Sequence, residues 1–174
     1  LGPGTGLGVA WLDRDGGSVT HVHATEGGHL DFAPLDSVED AILARLRKSH
    51  SRVSIERVVS GPAIVDIYHA LAGLEGRAVH ELTDVVIWTA ALEGTDSLAV
   101  AAMDRFCLSL GAVAGDIALA QGGSGVVIAG GLILLTGAVL MGFGGVTSIQ
   151  LAEDEAWAKF RRIVETAQEV WGGM

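Results

Sequence analysis

The chain has 174 residues, 49% hydrophobic and 18% charged, enough for one domain with a sizeable core and unlike a disordered, solvating polypeptide. A formal net charge of −10 excludes a general phosphate-backbone binder, which needs clustered Lys and Arg, so nucleic acid is not an expected partner. The single cysteine, Cys107, provides neither a disulfide framework nor a multi-cysteine zinc site, and it fits a reducing cytoplasm.

The chain opens on Gly2-Pro3-Gly4-Thr5-Gly6-Leu7-Gly8. No basic and then apolar leader is visible, and the first residue is not Met, so the sequence reads as a fragment that begins inside a motif. Apolar-rich runs at 8–13 and 18–24, around Asp15-Gly16-Gly17, predict two strands joined by a tight turn. A loop from Thr25 to Pro34 carries Glu26-Gly27-Gly28-His29. Ser37 with Asp40 predicts a capping box that opens a helix to about Ser49, with Val38, Ile42 and Leu46 on its inward stripe.

Pro62 predicts the start of a second helix with Ile64, Ile67, Tyr68 and Leu71 facing inward. Thr83 or Asp84 caps a third across Val85 to Leu92, and Thr95 or Asp96 a fourth running to about Gln121, with Met103, Phe106 and Leu110 as core. Residues 126–129, Val-Val-Ile-Ala, predict a buried parallel strand ending in Gly130-Gly131. Strands, helices and then a buried strand make an α/β domain with a ligand site at the strand's end. From Ile117 to Ala152 there is no charged residue, a length sufficient to span a bilayer, though its glycines and the following Glu153-Asp154-Glu155 speak against that. Residues 153–170 predict a surface helix with Trp157, Phe160, Val164 and Ala167 on one side.

Some of these segments have the chemistry of a site. Alternating glycines at the start let backbone fold against a phosphate while Thr5 adds a hydroxyl, although the same spacing also makes an ordinary turn. It is neither the P-loop nor the dinucleotide fingerprint, since no helix follows. An acidic chain can still hold a nucleotide, because glycine amides and a divalent metal neutralise phosphates. Glu26 and His29 can approach one small polyol from a single loop, or simply be solvated. Glu56, in Val53-Ser54-Ile55-Glu56-Arg57, reads by itself as a surface charge or an arginine partner. Gly130-Gly131 would seat a nucleotide or form a tight turn. His21, His23 and His29 lack a completing carboxylate or thiol at a recognisable spacing, so a metal site is not expected.

Taken in order, GPGTGLGVA, EGGHLDFAP, SIERVVSGPAIVDIY and GVVIAGG resemble the bacterial glucokinase family, in its zinc-free group, over residues 1–131. The resemblance implies an α/β fold: the second, larger domain of an actin-like (ribonuclease H-like) sugar kinase. It implies that Glu26, His29 and Glu56 bind glucose, that Gly4, Thr5 and Gly6 hold the ATP phosphates with Mg²⁺, and that Gly130 and Gly131 lie near the adenosine. Homodimerisation and a cytoplasmic location are also implied. The family's catalytic Asp, in an Asn-Asp motif, and its D-x-G-G-T phosphate motif are both missing from this sequence, and Asp31 and Asp66 do not replace that base. Residues 132–174 depart from the family as a divergent apolar segment and C-terminal helix. Two alternatives are a non-catalytic sugar- or nucleotide-binding module and a membrane-attached protein that uses residues 126–146.

Overall fold

β-branched and aromatic residues (Val9, Trp11, Val19, Thr20 and Val22) bring residues 7–25 together as a hairpin. A computed structural model of the chain describes residues 1–16, 18–123 and 125–130, and the backbone of 140–141. Strands β2 (Leu7–Asp15) and β3 (Ser18–Thr25) pair antiparallel from Val9↔Thr25 to Asp15↔Ser18. The register shifts between Asp13 and Arg14, which leaves Thr20 as the extra residue of a bulge. Gly16 turns the chain with φ +55°, a conformation that L side chains rarely adopt.

β1 (Gly2–Pro3) pairs antiparallel with the start of β2, Gly2↔Gly8 and Pro3↔Leu7, so Gly4-Thr5-Gly6 is the tip of a second tight hairpin. β4 (Val127–Ile128) lies against the chain start. The Leu1 amino group donates to the Val127 carbonyl at 2.8 Å, and the Ala129 N–H donates to the Leu1 carbonyl at 2.8 Å. One residue bonding to the positions on either side of its opposite number is the parallel pattern. The expected strand is therefore present and parallel to the chain start, but it is only partly buried: Ile128 is covered and Val127 is open. β4 also pairs antiparallel with β5 (Leu140–Met141). The described part of 126–146 is thus a strand pair rather than one continuous membrane helix. Residues 131–139, 142–146 and the helix expected over 153–170 lie outside the described residues, as does Gly131.

The helices are α1 (Ser37–Leu46), α2 (Ile64–Leu74), α3 (Asp84–Glu93) and α4 (Ser97–Gln121). Asp36, and not Ser37, caps α1: its carboxyl accepts the N–H groups of Val38 and Glu39, both at 3.0 Å, and takes the Arg105 guanidinium at 2.6 Å. The ion pair from α4 favours the Asp, a contact that local pattern does not contain. The last turn of α1 tightens, with Lys48 and Ser49 N–H bonded three residues back, so the α-helix stops at Leu46 and not Ser49. Similar tight turns over Ser60–Ala63 hold Pro62 outside α2, which begins two residues later than expected. Thr83 and Asp96 cap α3 and α4 as expected, and left-handed Gly94 and Gly122 close them.

The core lies between α2, α3, α4 and the inner side of α1. Ile42, Ile64, Ile67, Ile87, Leu98 and Leu110 are fully buried, each contributing about 1.5–3 kcal/mol of transfer free energy. Ala99, Ala102, Gly111, Ala112 and Ala114 let neighbouring helices approach α4 closely. α4 alone among the described residues is long and apolar enough to cross a membrane, yet 72% of its apolar window is buried inside the fold, as in a core helix. Cys107 sits in this core, where burial and then Asp104 push its thiol up to about 12. Glu39 is also fully buried: its Oε1 accepts the Ser109 hydroxyl at 2.7 Å and its Oε2 the Leu35 N–H at 2.7 Å.

Candidate functional site

Two short 3-10 turns, Gly27–His29 and Ile55–Arg57, are zipped side by side. The Ile55 N–H donates to the Leu30 carbonyl at 2.8 Å and the Phe32 N–H to the Val53 carbonyl at 3.0 Å, with a β-bridge between Asp31 and Ser54. Asp31 itself pairs with Arg52, and Asp66 pairs with Arg45 at 3.0 Å. The His29 N–H bonds back to the Glu26 carbonyl at 2.9 Å, so the two side chains leave the turn on one side. Their Nε2 and Oε2 atoms lie 3.7 Å apart, and both are open, at 62% and 90% exposure.

Leu7 joins these turns to the sheet. Its N–H donates to Glu56 Oε2 at 2.9 Å. Its carbonyl oxygen lies against Gly28, where a Cβ would overlap it. Gly6 is equally constrained, because a Cβ there would strike Glu56 Oε2. Glu56 is therefore no free surface charge, and among the described residues it pairs with no arginine: it is half-buried beneath the glycine loop.

The tip Gly4-Thr5-Gly6 is folded on itself by a Gly4 N–H to Gly6 carbonyl bond of 2.8 Å. The Gly61 N–H anchors it by donating to the Gly4 carbonyl at 2.6 Å. The Gly61 carbonyl in turn accepts the indole N–H of Trp88 at 2.9 Å. Thr5 stands exposed at the tip, and among the described residues neither its amide nor that of Gly6 has a partner. On the other side, Gly130 is pressed against Pro3, whose carbonyl a Cβ would overlap, and Gly2 against the Ala129 carbonyl.

The turns that carry Glu26, His29 and Glu56 thus lie side by side on Leu7, with Gly6 against Glu56 and Gly130 against Pro3. The set combines carboxyl acceptors, an imidazole that either donates or accepts, and unpartnered backbone donors. Such a cluster can hold a polyol next to a phosphate. The sequence offered no sign of Leu7 or Trp88 as parts of it; Gly61 stood inside a quoted motif without an assigned role. His23 is occupied elsewhere, stacked on Trp11 at 3.8 Å and bonded to Asp13 at 3.0 Å. Among the described residues no three His, Cys, Asp or Glu side chains group to hold a metal ion.

A model of the glucokinase family matches residues 1–142. The chain is 63% identical over 132 residues to the glucokinase of Zymomonas mobilis, a match covering 76% of this chain and 40% of that protein. Its structure is similar to that of a glucokinase from an Antarctic psychrotroph, with a TM-score of 0.74 at 33% identity over 97% of this chain and 47% of the other. A glucokinase of Balamuthia mandrillaris, solved in complex with glucose, shares the fold with a TM-score of 0.63 at 20% identity, over 95% of this chain and 46% of that one.

Proposed function

The chain belongs to the glucokinase family, and from that premise we propose that residues 1–131 are part of the larger, second domain of an actin-like sugar kinase that transfers the γ-phosphoryl group of ATP to D-glucose. The chain spans about two fifths of its relative's length, 40%, so the reaction is that of the whole enzyme. The observation that carries the proposal is Leu7, whose N–H donates to the Glu56 carboxyl at 2.9 Å while its carbonyl lies against Gly28 of the Glu26–His29 turn.

Glu26, His29 and Glu56 bind glucose hydroxyls and turn its 6-hydroxyl towards the nucleotide. Polar partners that a bound sugar covers also discriminate, since an analogue lacking a hydroxyl leaves one unsatisfied. Thr5, with the amides of the Gly4-Thr5-Gly6 tip, faces the ATP phosphates, and Gly130 and Gly131 lie near the adenosine. Phosphoryl transfer depends on positioning and charge neutralisation, and Mg²⁺ bound with the nucleotide would supply the latter.

The missing Asn-Asp motif leaves these 174 residues without a general base, so they bind without turning over. Homodimerisation and a cytoplasmic location are part of the same proposal. The test is a calorimetric glucose titration alongside a coupled ADP assay. Saturable glucose binding without ADP formation is expected, while absence of binding would overturn the sugar site.

A further inference from the structure

Gly61 separates α2 from the turn that carries Glu56, and both of its backbone polar groups are committed. Its N–H holds the Gly4 carbonyl at 2.6 Å, and its carbonyl accepts the Trp88 indole N–H at 2.9 Å. Trp88 lies on α3, 9% exposed, with its ring edge-on to Phe106 of α4 at 5.1 Å between centroids. A buried indole N–H needs an acceptor, and this one is spent on a single carbonyl. A glycine is the residue least able to hold its own conformation, and only the following Pro62 restricts it from within the chain. Fixing both of its polar groups from outside compensates for that freedom.

We infer that Trp88 is a positioning residue for the nucleotide: through Gly61 it sets where the Gly4-Thr5-Gly6 tip stands, without touching the ligand itself. The inference rests on the phosphate role proposed above for that tip. The route runs from α4 through Phe106 and Trp88 to Gly61 and Gly4, and it is separate from Glu56, which reaches the same loop from the sugar side. The tip is therefore held from two directions.

The test uses the full chain with Trp88→Phe, which keeps an aromatic ring and removes the N–H. Gly61→Ala serves as a second variant; its Cβ would lie 3.1 Å from the Gly4 carbonyl while Trp88 stays in place. Calorimetric titrations with MgATP, adenosine and glucose are the readouts. Both variants should bind MgATP about three- to tenfold more weakly, the equivalent of one hydrogen bond. Adenosine and glucose affinities should be unchanged, which a merely structural role would not predict. Unaltered MgATP affinity in Trp88→Phe, or parallel loss of all three ligands, overturns the inference. Thr5→Phe separates the two levels. If it too leaves MgATP binding intact, the phosphate role fails and the inference with it. If it abolishes binding and Trp88→Phe has no effect, only the inference falls.

Discussion

The side chain of Glu56 accepts the main-chain N–H of Leu7 at 2.9 Å, across 49 positions of sequence. With Oε2 engaged in this way, Oε1 is the oxygen left for a ligand hydroxyl. The carboxyl group is therefore both a sugar ligand in the proposed function and a strut of the glycine loop. Glu56→Ala should lower stability by about 1–3 kcal/mol, because the part-buried Leu7 N–H loses its acceptor. It should also weaken both glucose and MgATP binding. Glu56→Gln keeps an amide oxygen for Leu7, so it should recover most of the stability but not the glucose affinity. Urea melts and two titrations would check this; equal stability of the Ala variant and the parent chain would remove the strut.

The glycines around this joint are not equivalent. A Cβ at Gly28 would run into the Leu7 carbonyl, which is backbone and cannot swing away, whereas a Cβ at Gly4 would meet nothing within 4 Å. Gly28→Ala should therefore cost about 1–3 kcal/mol through overpacking, and Gly4→Ala much less. Thermal or urea unfolding of the two variants compares them directly, and similar losses at both positions would contradict the close packing of Gly28 on Leu7.

Glu26 and His29 behave differently from Glu56 because, among the described residues, their side chains contact only each other. Their mutual contact is 3.7 Å with both side chains largely exposed, and such pairs add little stability. Glu26→Ala and His29→Ala should each leave the melting curve unchanged while weakening glucose binding by about 1–3 kcal/mol. Unchanged glucose affinity in both would detach this turn from the sugar.

What the sequence made legible follows the range of the interactions. Thr83 and Asp96 cap helices that begin one residue later, and the stripe Ile64, Ile67, Tyr68 is buried, because caps and periodicity act within a few residues. The hairpin over residues 7–25 was visible for the same reason. Asp36 replaced Ser37 as a cap in company with Arg105, 69 positions away. The Trp88–Gly61 and Glu56–Leu7 bonds likewise join residues 27 and 49 apart, and neither has a local signature. Glu26, His29 and Glu56 were proposed from ordered motifs, while Leu7, which bonds to Glu56 and packs on Gly28 of the other turn, emerged only from packing.

The two cap carboxyls also make stability depend on acid. Burial alone would raise the Asp96 carboxyl, but the Tyr68 hydroxyl at 2.8 Å and the N–H groups of Leu98 and Ala99 outweigh it and hold it below the usual carboxylate range. Asp36 is lowered in the same sense: burial opposes, and the Glu39 N–H, Arg105 and the Val38 N–H prevail. A carboxyl depressed in the folded state binds fewer protons there than in the unfolded chain, where its value is about 3.9. Its contribution is therefore complete above about pH 4 and is lost as pH falls through the lower folded value. Asp96→Asn keeps a capping oxygen and an acceptor for Tyr68 but cannot titrate. At neutral pH it should cost little more than the charge-assisted part of those bonds. Between about pH 4 and pH 2 its melting temperature should fall less steeply than that of the parent chain, because one of the protons taken up on acid unfolding has been removed. Melts by circular dichroism across that window would read the two slopes, and parallel curves would show that Asp96 carries none of the acid sensitivity.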